Sequence, residues 1–86
     1  MRITIAPHTL LRAEERGTND AEIRDVLATG FSISAKYGKI GKARVYEFNS
    51  TRAGRHYKQK RVEVFYVVEG NELITVTVYV FYGAWE

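Results

Sequence analysis

The sequence predicts an α+β domain in which two N-terminal helices pack on one face of a small, mainly antiparallel sheet. Two observations predict this class. Apolar residues recur at helical spacing near the N-terminus, and Val, Tyr, Phe and Thr dominate two long C-terminal segments with the alternation of strands. The predicted order of elements is β-α-α-β-β-β-β, and residues 1–86 are expected to form one domain.

A short strand and a first helix are predicted at the N-terminus. Residues 2–5 alternate polar and apolar, which is typical of a strand. Pro7 suits the first turn of a helix over residues 9–16, because its missing N–H has no helical partner there. Gly17 is expected to end this helix in a left-handed conformation.

A second helix and two shorter strands are predicted next. Asn19 followed by Glu22 has the spacing of a capping box, which predicts a helix that ends near Gly30. The apolar period then changes to two, as in half-buried strands. Strands are therefore expected over residues 31–35 and 44–48.

The C-terminal half is predicted to form a long hairpin. A polar loop is expected from Asn49 to Arg55, and it is followed by strands over residues 57–68 and 73–82. Residues 69–72, Glu-Gly-Asn-Glu, have the composition of the connecting turn.

Alternation assigns the two faces of this hairpin. The face beneath the helices is expected to carry Val62, Val64, Val68, Ile74, Val76, Val78 and Val80. The opposite face is then a polar groove that presents Tyr57, Gln59, Arg61, Glu63, Thr75, Thr77 and Tyr79. The alternative interpretation is an ordinary solvent-exposed sheet surface without a binding role. A one-residue β-bulge would move part of one strand's residues to the opposite face.

Composition excludes several classes of function. The chain has no Cys and two His without metal-ligand spacing, so neither a metal nor another cofactor is expected. Phosphate-cradling glycine motifs and the serine elbow are missing. No apolar run is long enough to cross a bilayer, so we expect a cytoplasmic protein without membrane contact.

Positive charge is concentrated in the middle of the chain. Between Lys36 and Arg61 there are nine basic residues and one acid, a net charge of +8, whereas the rest of the chain carries −5. Tyr37, Tyr46 and Tyr57 are interleaved with these charges and could stack on bases. The distribution favours a polyanionic partner, although solvated loops rich in Lys and Arg would give the same composition.

The two histidines are candidate acid–base groups. His8, Arg12 and Glu15 share one stripe of the first predicted helix, where a histidine beside an arginine could act on a phosphodiester. His56 lies within a basic run and could complete an acid–base pair. The alternative for the first group is a solvated helix side on which Arg12 pairs with Glu15. The alternative for His56 is a histidine that is simply exposed in a loop.

RNA cleavage is a chemistry that these residues permit without a metal. RNA carries its own nucleophile, the 2′-hydroxyl, so a protein that aligns this group and supplies cations and one proton donor or acceptor can cleave the strand.

Three segments resemble an uncharacterised bacterial family, domain of unknown function 4258, which is similar to the RelE- and BrnT-like toxins of toxin–antitoxin systems. These segments are His8-x-x-x-Arg12-x-x-Glu15-Arg16-Gly17, Tyr57-x-x-Lys60-x-Val62-Glu63-Val64 and Thr75-Val-Thr-Val-Tyr79. The resemblance covers the chain from about His8 to Tyr82. It implies a RelE-like fold and metal-independent endoribonuclease activity, often on messenger RNA at the ribosome, with an antitoxin as partner.

The resemblance also implies roles for individual residues. The candidate catalytic residues are His8, Arg12, Lys60, Thr77 and Tyr79. The candidate substrate-binding residues are His56, Tyr57, Lys58, Arg61 and Glu63.

Two other functions remain open at the level of sequence. The basic segment could bind RNA or an acidic protein without catalysis. The apolar C-terminal strand, with Tyr79, Phe81, Tyr82 and Trp85, could pair with a second copy to form a homodimer.

Overall fold

The computed structural model describes residues 1–85 and confirms the predicted α+β class. The elements are β1 (Arg2–Thr4), α1 (Pro7–Arg16), α2 (Asp20–Thr29), β2 (Phe31–Ile33), β3 (Ile40–Arg52), β4 (Arg55–Glu69) and β5 (Glu72–Gly83). The five strands form one sheet in the order β1-β5-β4-β3-β2. Strand β1 runs parallel to β5, and the other neighbours are antiparallel.

The ends of both helices follow the predicted signals. Helix α1 begins at Pro7 and ends at Gly17, whose φ of 99° is left-handed. The Asn19 side chain accepts a hydrogen bond from the Glu22 N–H at 2.9 Å, which confirms the predicted N-terminal cap of α2. Each helix has ten residues, and within residues 1–85 neither is long and apolar enough to span a membrane.

The core lies between the helices and one face of the sheet. Helix α1 packs mainly on β5, and α2 packs on β3 and β4. Ile23 and Val26 of α2 are fully buried, and each such side chain contributes about 1.5–3 kcal/mol when removed from water. The predicted valine face is confirmed for Val62, Val64 and Val78, which are also fully buried. The opposite face of the sheet is not covered by helices and is called the open face below.

A β-bulge changes the predicted arrangement of three β5 residues, Ile74, Thr75 and Val76; Ile74 now pairs with Val67 on the open face. Phe65 of β4 pairs with Thr77, but Tyr66 pairs with Thr75, so Val76 is an extra residue in β5. Thr75 is therefore buried on the helix side, where its hydroxyl accepts from the Ala6 N–H and donates to the Thr9 hydroxyl. The prediction that Thr75 lies on the open face is wrong, and so is the prediction of Val76 as a regular member of the valine face.

The predicted loop from Asn49 to Arg55 is also wrong. Strand β3 continues to Arg52, and the turn consists of Ala53 and Gly54, both with positive φ. Strand β4 pairs with β5 only as far as Gln59, which faces Gly83. Residues 48–58 thus form a two-stranded β3–β4 ribbon that extends beyond the end of β5.

Candidate nucleic-acid interface

A shallow pocket of about 230 Å³ lies on the open face. Two lysines, two tyrosines, a phenylalanine and a threonine line it: Lys36, Tyr37, Lys39, Phe65, Thr77 and Tyr79. Aromatic rings and positive charges thus meet at one place on an uncovered sheet surface. This combination suits an anionic ligand with flat apolar groups.

The local sequence explains how the pocket forms. Phe65 and Thr77 are direct cross-strand partners, so their side chains lie together on the open face. Gly41 lies beside them in β3, and a Cβ there would come within 2.9 Å of the Phe65 ring. The loop between β2 and β3 passes through Tyr37 and Gly38, both with positive φ, and this turn brings Lys36 and Lys39 to the pocket.

Aromatic rings continue from the pocket along β5. Tyr79 and Phe81 are two residues apart on the open face, with ring centroids 6.3 Å apart and ring planes 26° from parallel. The Phe65 ring contacts Tyr79 edge-on, and the Arg16 guanidinium lies 4.9 Å from the Tyr79 centroid. Tyr79 is 40% exposed and Phe81 48%, so both rings are available to a ligand.

Arg61 and Glu63 also lie on the open face, as the alternation predicted. Their side chains form an ion pair at 2.9 Å, and the Arg61 guanidinium lies 5.3 Å from the centroid of the Phe31 ring. The two charges offset each other. This part of the face therefore has little net charge.

His8 lies at the edge of β5 and not in the pocket. Its Nε2 is 2.8 Å from the Val76 carbonyl oxygen. A carbonyl can only accept, so Nε2 carries a proton and donates it. Arg12 forms the helix-surface ion pair with Glu15, at 2.9 Å, that the alternative interpretation describes.

Lys60 lies on the helix side of the sheet. Its Nζ donates to a Glu22 carboxylate oxygen at 2.8 Å and to the Gly17 carbonyl at 2.9 Å. Only 12% of the side chain is exposed. The sheet separates Lys60 from Thr77 and Tyr79, and the geometry gives this amine a structural role that joins both helices to β4.

Three further candidates lie in the β3–β4 ribbon. His56 and Lys58 are exposed, and the Tyr57 ring packs against Tyr82 with centroids 5.6 Å apart. His56 is nine residues from Phe65 along β4, a separation of about 30 Å at 3.3 Å per residue. Neither histidine therefore lies in the pocket, and the structure does not bring His8 and His56 together as an acid–base pair at that site.

Four residues of the pocket were not among the predicted site residues, namely Lys36, Tyr37, Lys39 and Phe65. A signal was present for the first three: a Lys-Tyr-Gly-Lys turn between two strands places charges and a ring at the end of a sheet. Phe65 could have been assigned to the open face, because alternate residues of a strand share a face and Arg61 and Glu63 were already placed there.

The two tyrosines with raised pKa values are structural. Burial, together with the hydrogen bond to Asp25, raises the pKa of Tyr46 far above its ordinary value. Burial also raises the pKa of Tyr82, whose hydroxyl donates to the Arg16 carbonyl. Both residues join the sheet to the helices and neither lines the pocket.

Within residues 1–85, no group of three or more His, Cys, Asp or Glu side chains is placed to hold a metal ion. Comparisons with protein-family models, with curated proteins and with solved structures find no match to this chain.

Proposed function

We propose that the protein binds single-stranded RNA on the open face. The observation that carries the proposal is the pocket in which Lys36 and Lys39 stand beside the half-buried ring of Phe65 and the exposed ring of Tyr79. In this arrangement, bases stack on the rings and the lysine ammonium groups contact phosphates. Stacking of a base on a protein ring contributes about 1–3 kcal/mol and tolerates any base.

The accessible chemistry favours a single strand over a duplex. Bases within a duplex are already stacked on each other, so they cannot also stack on aromatic rings of a sheet surface. A single strand can turn its bases onto such a surface, as it does on other exposed sheets. The hydroxyl groups of Thr77 and Tyr79 lie in the same pocket and can bond to a 2′-hydroxyl, which favours RNA over DNA.

Internal contacts decide which cations are available. Five of the nine basic residues between positions 36 and 61 bond to acceptors within the protein: Lys42, Arg44, Arg52, Lys60 and Arg61. In the part of the chain that the structure describes, the other four have no such side-chain bond: Lys36, Lys39, Arg55 and Lys58. These four side chains are therefore free to contact phosphates without breaking a bond within the protein.

The double variant Lys36→Ala/Lys39→Ala tests the proposal. Binding of a fluorescently labelled, unstructured RNA is measured by anisotropy over a range of salt concentrations. Each lost phosphate contact reduces the slope of log affinity against log salt by about 0.7, so the variant should lose about 1.4. The control Arg24→Ala/Arg44→Ala removes the same charge from two arginines that pair with Asp20 and Asp25 of α2 on the helix side, and it should leave the slope unchanged.

Two results would overturn RNA binding. One is an unchanged slope and affinity in the lysine variant. The other is that the wild-type chain binds an acidic peptide such as polyglutamate but no RNA, which would support an acidic protein partner instead.

A second candidate function is cleavage of the bound RNA, which the pocket residues favour. As the 2′-oxygen attacks phosphorus it loses its proton, and the departing 5′-oxygen takes one up. The Tyr79 hydroxyl and the lysine amines are the pocket groups able to exchange these protons. This proposal moves the chemistry from His8 and Lys60 to the open face, and an antitoxin would block it most directly by covering the pocket.

Incubation of the purified protein with RNA in excess chelator tests cleavage. We expect products from RNA but none from a strand with 2′-deoxy sugars, and a rate about 100-fold lower for Tyr79→Phe when the protein is in saturating excess over the RNA. Intact RNA after prolonged incubation with the wild-type protein would exclude this candidate and leave RNA binding as the function.

A further inference from the structure

We propose that a second pocket, on the helix side of the sheet, binds a small carboxylate with an apolar tail, such as a medium-chain fatty acid. This pocket has a volume of about 320 Å³ and is called the helix-side pocket below. It lies at the end of α2, where Val68 of β4 is still 42% exposed although it faces the helix side. The sheet separates it from the pocket on the open face, so it does not depend on RNA binding there.

Apolar side chains from four elements form most of the helix-side pocket. Ile3 of β1, Val68 of β4 and Leu73 of β5 line it from the sheet, and Leu27 lines it from the last turn of α2. Leu27 and Leu73 also belong to the buried core, so packing fixes these walls before a ligand binds. Pockets for small ligands commonly have this size and composition, with a few polar groups that orient the ligand. The lining therefore favours a ligand with an apolar body.

Tyr66 supplies a polar group that the protein itself leaves unused. This residue is only 7% exposed, and it lines the helix-side pocket. The hydroxyls of Tyr46 and Tyr82 donate to other groups of the protein, whereas that of Tyr66 has no such partner among the residues that the structure describes. Every fully enclosed side-chain polar atom of these residues has a partner, so the Tyr66 hydroxyl is left open to the pocket. Polar groups this far inside a protein normally have a hydrogen-bond partner, and a bound ligand would supply it here.

Lys42 gives the helix-side pocket a positive charge. Its Nζ donates one bond to the Leu27 carbonyl, at 3.1 Å, and an ammonium group has two further N–H donors. Lys42 pairs with Val64 across β3 and β4, and Tyr66 is two residues further along β4, so the two polar side chains are diagonal neighbours on the helix side. None of the described residues that line the pocket is acidic, so no lining residue neutralises this charge. One carboxylate can therefore accept from the ammonium and from the hydroxyl.

The volume and the polar groups define the size and charge of the ligand. A water molecule occupies about 30 Å³ in the liquid, so the helix-side pocket holds about ten non-hydrogen atoms at that density. Octanoate matches this size and has its carboxylate at one end of an unbranched apolar chain. A doubly charged phosphate group would need more donors than Lys42 and Tyr66 provide, which favours the carboxylate.

The test is an NMR titration of the full chain with octanoate, and with octanol and octylammonium, which have the same tail. We expect saturable shifts for the amides of Ile3, Leu27 and Leu73 with octanoate. The affinity for octanol should be about tenfold lower, because the neutral alcohol loses the ion pair with Lys42. Octylammonium, which the Lys42 charge repels, should bind more weakly still.

Two variants test the polar groups separately. Lys42→Met keeps an apolar side chain and removes the charge, and Tyr66→Phe removes only the hydroxyl. Each should lower the octanoate affinity about tenfold, and in Lys42→Met the preference for octanoate over octanol should disappear. The matched controls Lys58→Met and Tyr57→Phe lie in the β3–β4 ribbon and should bind octanoate as the wild type does. Spectra without ligand establish that each variant keeps the wild-type fold.

Three results would overturn the proposal. One is the absence of saturable shifts with octanoate in the wild-type protein. Another is equal affinity for octanoate, octanol and octylammonium, which would show an apolar cavity without selectivity for a carboxylate. The third is an octanoate affinity that neither Lys42→Met nor Tyr66→Phe changes. None of these results bears on RNA binding at the open face, so the two proposals fail independently.

Discussion

Two lysines separated by a single residue have opposite roles in this protein. Lys60 is almost enclosed and donates to Glu22 and to the Gly17 carbonyl, whereas Lys58 is exposed in the ribbon. Both belong to one basic run in the sequence, where nothing distinguishes an amine that holds helices from one that meets solvent. The difference arises because the acid that pairs with Lys60 lies 38 residues away in the chain.

Unfolding in urea should separate the two lysines. Lys60→Ala leaves the Glu22 carboxylate and the Gly17 carbonyl without their charged donor, and should lower the free energy of unfolding by about 2 kcal/mol. Lys58→Ala removes an exposed side chain and should change it by less than about 0.5 kcal/mol. Equal stabilities of the two variants would contradict the structural role of Lys60.

The junction between α1 and the sheet explains the most distinctive motif of the sequence. Arg16 donates to the Val78 carbonyl at the edge of β5, and His8 donates to the Val76 carbonyl beside it. Gly17 turns the chain where Lys60 and Tyr82 approach the end of the helix. Pairing of β5 with a second copy, the homodimer considered from the sequence, would first have to displace the His8 and Arg16 side chains.

Substitutions at Gly17 and Gly54, which both have positive φ, test how much the contact with Tyr82 at this junction contributes to stability. At Gly17 a Cβ would overlap the Tyr82 hydroxyl, whereas at Gly54, in the turn of the ribbon, no other atom lies within 4 Å. Gly54→Ala should cost about 1–2 kcal/mol from the left-handed backbone alone. Gly17→Ala should cost about 1 kcal/mol more, because Tyr82 must give up its bond to the Arg16 carbonyl.

Thermal or urea unfolding of both variants gives this difference directly. In a Tyr82→Phe background the hydroxyl is missing, so the extra cost of Gly17→Ala should largely disappear. An extra cost that persists unchanged without the hydroxyl would show that the contact with Tyr82 is not its source.

Local signals predicted the helices and the long strands, but pairing between strands decided the rest. Pro7, Gly17 and Asn19 act on neighbouring residues, so their effects could be predicted from the sequence. The bulge at Val76 depends on how β5 aligns with β4, and no residue of β5 signals it. That single extra residue moved Thr75 from the predicted groove into the core.

Charge is redistributed when the chain folds. The acids of α2 and the carbonyls at the helix ends bind much of the basic segment, for example through the Asp25–Arg44 and Glu22–Lys60 pairs. The remaining cations lie beside the pocket and in the ribbon. A sequence analysis can count these charges, but it cannot assign them, because their partners lie on other elements.

Chemical-shift mapping with an unstructured RNA of about twelve nucleotides distinguishes binding on the open face from binding on the helix side. If RNA binds on the open face and the helix side is structural, the amides of Thr77, Tyr79, Phe81 and the turn from Lys36 to Lys39 should shift, and those of the exposed helix residues Glu14 and Arg24 should not. Shifts centred on α1 and α2, with the amides of the open face unmoved, would contradict it.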